Sequence, residues 1–255
     1  MEKSRLEVLS TELSYIEVGE GKPLVILHGW GANIESITPI VNAAPKGYKI
    51  YAYDAPGFGD SQEPSDTLST EDYYRYLFEF LKVKNIKKAT FIGHSFGGKT
   101  LTIFAAKHPE MVEKLILIDA SGVIPKRTLK YYFKVYTFKT LRFLYTKLFF
   151  WNNNTDGIRK FYEKFGSDDY QNSQGVMRKT FVKVVNESTV EYFRNIKAPT
   201  LIIWGENDDE TPLYMARVFE DNIEDSGLVV LKNAGHYSYI DDYGTFSAVL
   251  NSFLD

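Results

Sequence analysis

The chain has 255 residues, of which 44% are hydrophobic and 25% are charged, and its net charge is −3. This balance is typical of a globular protein, and it gives no reason to expect nucleic acid as a partner. The lack of cysteine excludes disulfides, thiolate metal sites and a cysteine nucleophile, and four histidines leave few candidates for histidine-dependent chemistry.

The N-terminal residues are charged, and no apolar signal-like run follows them. No stretch approaches the roughly 18 consecutive apolar residues of a membrane-spanning helix. We therefore expect a cytoplasmic protein without a transmembrane segment.

Eight short apolar runs predict strands. Residues 5–28 predict the first three, and the other runs are Ile50–Tyr53, Ala89–Ile92, Leu115–Ile118, Leu201–Trp204 and Leu228–Leu231. Runs that are apolar at every position are typical of strands buried on both faces.

Helical patterns separate these strands. The clearest is Glu71–Val83, with Thr70 as the candidate N-cap and one apolar face formed by Tyr73, Tyr74, Leu77, Phe78 and Leu81. A second helix extends through Thr100–Lys107. This alternation predicts an α/β fold with a mostly parallel central sheet of about eight strands, flanked by helices.

Residues 124–195 break this alternation and predict a helical cap inserted between core segments 1–123 and 196–255. Residues 131–165 contain 13 of the 39 aromatic residues, and the stretch between Asp119 and Asp156 has basic residues but no acid. The plainest interpretation is a lid whose aromatics pack on the core and whose lysines are solvated. Alternatives are a lid that binds an anionic substrate, a surface that contacts anionic lipid, and a dimer surface; the oligomeric state stays open.

The sequence Gly93-His94-Ser95-Phe96-Gly97 follows an apolar strand and opens a helix. This is the context of a nucleophile elbow, a sharp turn that lifts the serine above the carboxyl ends of the strands. The backbone N–H of Phe96 would lie at the start of the helix, where it can stabilise an oxyanion. The alternative is a tight glycine turn with a helix-capping serine.

Two further motifs follow earlier strands: His28-Gly29-Trp30-Gly31, and the stretch from Asp54 to Ser61 that reads DAPGFGDS. With the elbow, they make the chain resemble the α/β-hydrolase fold superfamily, of the type with a helical cap. The resemblance implies that the backbone N–H of Trp30 is the second oxyanion donor. It also implies that Asp54 has a structural role.

A serine nucleophile needs an adjacent base, and His236 is the candidate because it lies in a loop after a late strand. We expect structural hydrogen bonding for His28, a side chain turned away from Ser95 for His94, and a helix C-terminal position for His108.

The superfamily pattern of Gly, two residues, Asp, three residues and Pro selects Asp208 as the acid that orients the base. Asp209 and Glu210 are rivals whose alternative role is solvated loop charge. Asp119 is a further rival, with anchoring of the start of the cap as its more ordinary role.

Two positions depart from the superfamily pattern. Asp241-Asp242-Tyr243 lacks a proline that often follows the histidine, which affects the start of the last helix more than the chemistry. Lys99 stands where many members have a small apolar residue; we expect a solvated or snorkelling lysine, with contact to an anionic substrate as the alternative.

These features predict a serine hydrolase with the triad Ser95, Asp208 and His236, which acts on a small or medium ester or related carbonyl compound and needs no cofactor or metal. Residues that bind the substrate are expected within the cap, at positions the sequence does not identify. One alternative is a C–C bond hydrolase of the meta-cleavage product type. A proline-iminopeptidase-like enzyme, with Glu163, Asp168 or Asp169 holding the amine, is another, and a ligand-binding protein on a hydrolase fold is a third.

Overall fold

The computed structural model describes residues 1–126 and 173–255, together with six isolated positions between 136 and 143. Eight strands form one sheet within these ranges, as predicted. Their bounds are β1 Ser4–Val8, β2 Thr11–Gly19, β3 Lys22–Leu27, β4 Tyr48–Tyr53, β5 Ala89–His94, β6 Val112–Ile118, β7 Thr200–Gly205 and β8 Ser226–Leu231.

The strand order is β1-β2-β4-β3-β5-β6-β7-β8. The pairs β1–β2 and β2–β4 are antiparallel, and all the others are parallel. The carboxyl ends of β3, β5, β6, β7 and β8 therefore lie along one edge of the sheet. Open α/β sheets bind ligands at this edge.

Successive side chains of the central strands enter two different cores, because a strand alternates its side chains between the faces of the sheet. In β3, Val25 and Leu27 pack in one core, while Leu24 and Ile26 pack in the other. The same alternation separates Phe91 from Ile92 in β5. Burial on both faces explains the uninterrupted apolar runs.

Helices cover both faces of the sheet in the described ranges. They are α1 Thr38–Ala43, α2 Thr70–Val83, α3 Phe96–Lys107, α4 Gly175–Val184, α5 Val190–Phe193, α6 Tyr214–Asn222, α7 Ser238–Asp241 and α8 Tyr243–Leu254. The first core packs under α2, α3, α5 and α6, and the second under α1 and α8. None of the described helices is long and apolar enough to cross a membrane.

The start of α2 differs from the prediction by one residue. The N-cap is Ser69, whose hydroxyl accepts from the N–H of Asp72 while the Asp72 carboxylate accepts from the N–H of Ser69. Thr70 instead donates its N–H and its hydroxyl to Glu187 at 2.8 and 2.7 Å. A serine and a threonine are both good caps by type, so only the reciprocal bond with Asp72 decides between them.

The buried face of α2 also differs in part. Tyr73, Leu77 and Leu81 are buried as predicted, and so are Tyr76 and Phe80, which the predicted face omitted. The predicted members Tyr74 and Phe78 are only partly buried, and both stack on His108. His108 follows α3 directly, as expected.

Most of the predicted cap lies outside the described residues, so its basic and aromatic stretch, and Glu163, Asp168 and Asp169, are not placed. Its described C-terminal part, residues 173–195, contains α4 and α5 and is tied to the core by hydrogen bonds. The N–H of Leu68 donates to the Thr180 hydroxyl at 3.1 Å, and the N–H of Thr189 donates to the carbonyl of Gly122 at 2.9 Å.

Candidate active site

Ser95 stands at a strained turn between β5 and α3. Its φ is 49° and its ψ is −113°, a region that residues other than glycine rarely adopt. The Ser95 N–H donates to the carbonyl of Ile118 at 3.0 Å, and the Ser95 carbonyl accepts from the N–H of Ser121 at 3.0 Å. These two bonds hold the turn to the end of β6.

Glycines on both sides of Ser95 let the backbone close this turn. A Cβ on Gly93 would lie 2.5 Å from the backbone nitrogen of Gly98, and a Cβ on Gly97 would lie 2.4 Å from the carbonyl oxygen of Leu27. Both distances are too short for real atoms, so larger residues would push the helix away from the sheet.

His236 lies beside Ser95, in the loop that follows β8. Its Nε2 is 3.0 Å from the Ser95 Oγ, and its Nδ1 is 2.8 Å from the Asp208 Oδ2. Burial alone would lower the pKa of His236, but the bond to Asp208 and the charges of Asp208 and Glu210 raise it overall. The structure therefore brings the predicted nucleophile, base and acid into one chain of contacts.

Asp208 lies in the loop after β7 and is almost fully buried. Its Oδ1 accepts the N–H groups of Glu210 and Thr211, each at 2.9 Å, and its Oδ2 accepts the Thr211 hydroxyl at 2.7 Å. Burial alone would raise the pKa of this carboxyl, but the bonds from His236 and Thr211 lower it overall. Asp208 thus stays ionised and fixed in orientation.

The rival acids occupy different positions. Asp209 is exposed and makes no contact with His236 in the described residues. Glu210 is also exposed, but its Oε2 lies 3.4 Å from the His236 Nε2, close to the Ser95 side of the imidazole. The Glu210 carboxylate therefore acts electrostatically on the His236 imidazole. The sequence did not predict this contact, because Glu210 is one of several acids in the same loop.

Asp119 has a different anchoring role from the expected one. Its side chain is fully buried; Oδ1 accepts from the N–H of Gly205, and Oδ2 accepts from both the N–H and the hydroxyl of Ser238. Burial raises its pKa to about 7, against the effect of these bonds. It joins the ends of β6 and β7 to α7, which follows His236, and in the described contacts it does not anchor the start of the cap.

The two residues predicted to be oxyanion donors line the cavity that contains Ser95. Phe96 is the first residue of α3, where a backbone N–H has no acceptor within its own helix. Trp30 lies in the loop after β3, and its indole packs edge-on to Phe96 at a centroid distance of 5.3 Å. Both residues line the same cavity as Ser95 and His236.

His28 and Asp54 make structural hydrogen bonds around the loop that contains Trp30. The Nδ1–H of His28 donates to the carbonyl of Gly29 at 2.7 Å, and its Nε2 accepts from the N–H of Ala55 at 2.9 Å. The buried carboxylate of Asp54 accepts from the N–H of Ile34 at 2.7 Å and from that of Asp60 at 3.0 Å. Both side chains are engaged in structural bonds.

A cavity of about 510 Å³ opens above Ser95. Its described lining is mostly apolar and aromatic, with a few charged groups. Besides Ser95, the lining includes Trp30, Lys99, Val184, Glu187, Glu210 and His236. In the described part of the chain no group of histidine and acidic side chains could hold a metal ion.

Lys99 is buried together with its ammonium group, so the expectation of a solvated or snorkelling lysine is wrong. Only 3% of its surface is exposed, and its ammonium donates to the carbonyl oxygens of Val184 and Glu187 at 2.5 and 2.6 Å. Burial lowers its pKa to about 8, although the charge of Glu187 works against this. Its partners lie 85 and 88 residues away in the chain, which is why no local pattern could predict them.

His94 makes a contact that was not predicted from the sequence. Its Nε2 lies 2.8 Å from the backbone carbonyl oxygen of His236. The available signal for this contact was a histidine within β5, a strand that is buried on both faces.

Comparison with known proteins agrees with this architecture. The family model described as alpha/beta hydrolase fold matches residues 22–243, which is most of the chain. The chain therefore belongs to the α/β-hydrolase fold family.

The curated relatives it resembles have several different hydrolase activities. It is 25% identical to the 2-hydroxy-6-oxo-6-(2'-aminophenyl)hexa-2,4-dienoic acid hydrolase of Metapseudomonas resinovorans, over 95% of this chain and 87% of the relative. It is also 25% identical to Lipase 1 of Psychrobacter immobilis, over 98% and 87%. Among solved structures, a meta-cleavage product hydrolase from Pseudomonas fluorescens matches with a TM-score of 0.74 and 23% identity, over 98% of this chain and 97% of that one. These likenesses establish a hydrolase fold but not a substrate.

The buried ammonium of Lys99 predicts a pH-dependent contribution to stability. Its pKa is about 8 in the folded chain and 10.5 in the unfolded reference, so between these values the unfolded state binds more protons. Lys99 should therefore make the free energy of unfolding rise with pH in this window, by at most about 1.4 kcal/mol per pH unit. We expect this extra slope to disappear in Lys99→Met, measured by denaturant unfolding from about pH 7 to about pH 10.5.

Lys88→Met, at an exposed position, is the matched control and should follow the wild-type curve in parallel. A constant difference between wild type and Lys99→Met across the whole range would contradict the prediction.

Proposed function

We propose that the chain is a serine hydrolase that cleaves small or medium carboxylic esters through an acyl-enzyme, with Ser95, Asp208 and His236 as its catalytic triad. The observation that carries this proposal is the continuous pair of short contacts, 3.0 Å from Ser95 Oγ to His236 Nε2 and 2.8 Å from His236 Nδ1 to Asp208 Oδ2. A hydrogen-bonded nucleophile and base, with the base oriented by a third group, form the minimal unit of covalent acyl transfer.

The protonation states suit this chemistry. An ionised Asp208 accepts the Nδ1–H of His236, which leaves Nε2 without a proton and able to accept from the Ser95 hydroxyl. When His236 takes that proton it becomes a cation beside Asp208. The same contact that orients the ring therefore stabilises the charge that forms.

The reaction follows from these positions. Ser95 Oγ attacks the ester carbonyl carbon while its proton passes to His236 Nε2, and the carbonyl oxygen becomes an oxyanion. As the intermediate collapses, Nε2 gives its proton to the leaving alcohol. A water molecule then gives a proton to Nε2 and attacks the acyl carbon, and return of that proton to Ser95 releases the acid.

We assign the backbone N–H groups of Trp30 and Phe96 as the oxyanion donors. Each such donor typically stabilises the transition state by about 3 kcal/mol. Two observations support this assignment. Both residues line the cavity beside Ser95, and Phe96 is the first residue of α3, where the helix dipole adds positive potential.

The cavity supports a substrate of small or medium size. A volume of about 510 Å³ is within the usual range for small-molecule sites, and its largely apolar lining suits an acyl chain or an aromatic group.

A second candidate is hydrolysis of a C–C bond next to a ketone. It is favoured by the names of three curated relatives, which are hydrolases of 2-hydroxy-6-oxo dienoic acids or a related dioate, with 25–27% identity. A screen of p-nitrophenyl esters of increasing acyl length, with a vinylogous diketone included, separates the two candidates by which substrate has the higher kcat/KM.

Peptide hydrolysis and simple ligand binding have less support. One curated relative is a proline iminopeptidase of Saccharolobus solfataricus, but the acids predicted to hold a substrate amine lie outside the described residues. Ligand binding alone does not require a hydrogen bond between Ser95 and His236, whereas nucleophilic catalysis does.

Replacing Ser95 by alanine should abolish turnover, because it removes the attacking oxygen. We expect Ser95→Ala to lower kcat for p-nitrophenyl acetate by several orders of magnitude and to abolish labelling by a fluorophosphonate probe. Ser65→Ala, an exposed loop serine, should behave like the wild type. If folded wild-type protein is not labelled, or if Ser95→Ala retains activity, the proposed function is wrong.

Replacing Asp208 by asparagine should cost far more than the same change at Asp209. An asparagine can present its NH₂ to Nδ1 and favour the wrong tautomer of His236, for which a loss of roughly 10⁴-fold in kcat is the precedent. Asp209→Asn is the matched control, since Asp209 has the same charge and lies in the same loop. Equal losses in the two variants, at equal melting temperatures, would argue against Asp208 as the acid.

The Glu210 carboxylate predicts a shift in the pH profile. Its charge helps to raise the pKa of His236, and only the neutral imidazole can act as the base. Glu210→Gln should therefore lower that pKa and move the acidic limb of kcat/KM to lower pH. Asp209→Asn again serves as the control, and an acidic limb that stays in place in Glu210→Gln would contradict the assignment.

A further inference from the structure

His94 has an unusual environment for a histidine. It is the last residue of β5, it directly precedes Ser95, and only 1% of its surface is exposed. Its ring packs against His236, Tyr237 and Tyr239 at centroid distances of 5.0 to 5.1 Å. Burial, reinforced by the neighbouring charge of His236, lowers the pKa of His94 to about 3, so the ring is neutral at working pH.

The tautomer of His94 follows from its contact with His236. A backbone carbonyl can only accept, so the His94 Nε2 carries the proton and donates it to the His236 oxygen at 2.8 Å. The neutral ring then has a bare Nδ1. That atom is buried and has no hydrogen-bond partner among the described residues.

The bare Nδ1 faces the loop that contains Trp30. A Cβ built on Gly29 would lie 2.9 Å from it and 3.3 Å from the Ser95 Cβ. An unsatisfied buried acceptor costs stability, whereas an apolar side chain would fill the same space without that cost. Packing therefore does not account for an imidazole here, and the bond from Nε2 to the His236 carbonyl does.

This bond differs from the other bonds that hold the His236 loop. The N–H of Gly235 donates to Asp241, and Ser238 donates to Asp119, which fixes the loop to α7 and to the end of β6. His94 instead lies on the strand that carries Ser95. Among the described contacts, the His94 side chain links the backbone of the base, His236, to the strand that leads into the nucleophile, Ser95.

We propose that His94 is a positioning residue, whose Nε2–H bond to the His236 carbonyl sets the distance between the imidazole and the Ser95 hydroxyl. The inference rests on the proposed function, since it concerns the same base and nucleophile. The Asp208 contact fixes how the His236 ring is turned, and the His94 contact fixes where the ring is held.

A matched pair of variants tests this role. Gln and Met have nearly the same size and shape, but only Gln can donate to a carbonyl, so we compare His94→Gln with His94→Met. If His94 positions the base, His94→Met should lower kcat for p-nitrophenyl acetate by about 10- to 100-fold with little change in KM, because small displacements of a base have large effects on rate. His94→Gln should recover part of this loss, and the melting temperature of each variant shows whether it is folded.

A double-mutant cycle separates positioning from general structural damage. In a His236→Ala background there is no base to position, so His94→Met should leave the residual activity unchanged. Rescue of that background by added imidazole should also be the same with and without His94→Met. A comparable loss in both backgrounds, or equal kcat for the folded Gln and Met variants, would overturn the proposal.

Failure of the His94 proposal can be distinguished from failure of the proposed function. Turnover that survives Ser95→Ala refutes the serine hydrolase itself. Turnover that requires Ser95 but does not differ between His94→Gln and His94→Met refutes only the role of His94.

Discussion

The strained backbone at Ser95 is the constraint on which the rest of the site depends. A non-glycine residue with a φ of 49° is tolerated only where its surroundings fix it. Here the surroundings are the end of β6, which bonds to Ser95 on both sides of the residue, and the glycine contacts that let α3 approach β3 and β5. The turn places Ser95 at the N-cap of α3 and Phe96 at its first position. The same strained turn therefore positions both the proposed nucleophile and one proposed oxyanion donor.

A buried carboxylate, Asp119, extends this constraint to the loops that carry the acid and the base. Its φ of 45° is positive, so the chain turns sharply where β6 ends. Its two carboxylate oxygens accept bonds from Gly205 and Ser238. Its backbone carbonyl oxygen lies 3.1 Å from the Thr211 hydroxyl, which makes its shorter contact, 2.7 Å, with Asp208. The ends of β6 and β7 and the start of α7 are therefore held in fixed relation by buried polar bonds, which are stronger and more directional than bonds exposed to water.

The features that could be predicted from sequence are those whose causes are local. A strand buried on both faces must be apolar at each position, and a sharp turn with close backbones must have glycine, so the eight strands and the elbow at Ser95 were predictable. The predicted N-cap of α2 was wrong by one residue. The choice between Ser69 and Thr70 depends on a reciprocal bond with Asp72, which composition does not show. Lys99 has the chemistry of a surface residue, but its acceptors are carbonyl oxygens at the end of α4 and just after it, and no local periodicity encodes such distant contacts. The contacts of Glu210 and His94 with His236 were missed for the same reason, because the loop that carries His236 meets both residues only in the folded chain.

The segment that contains α4 and α5 is attached to the core by polar bonds, and this attachment positions one wall of the cavity. Residues 180–189 form one wall of the cavity, and polar bonds hold them to α2 and α3: Leu68 to Thr180, Thr70 to Glu187, Lys99 to Val184 and Glu187, and Thr102 to Thr189. Apolar packing tolerates sliding, whereas hydrogen bonds of this kind specify one position along the helix. These bonds give the cavity wall a defined place along α2 and α3, and therefore a defined place relative to Ser95 and His236.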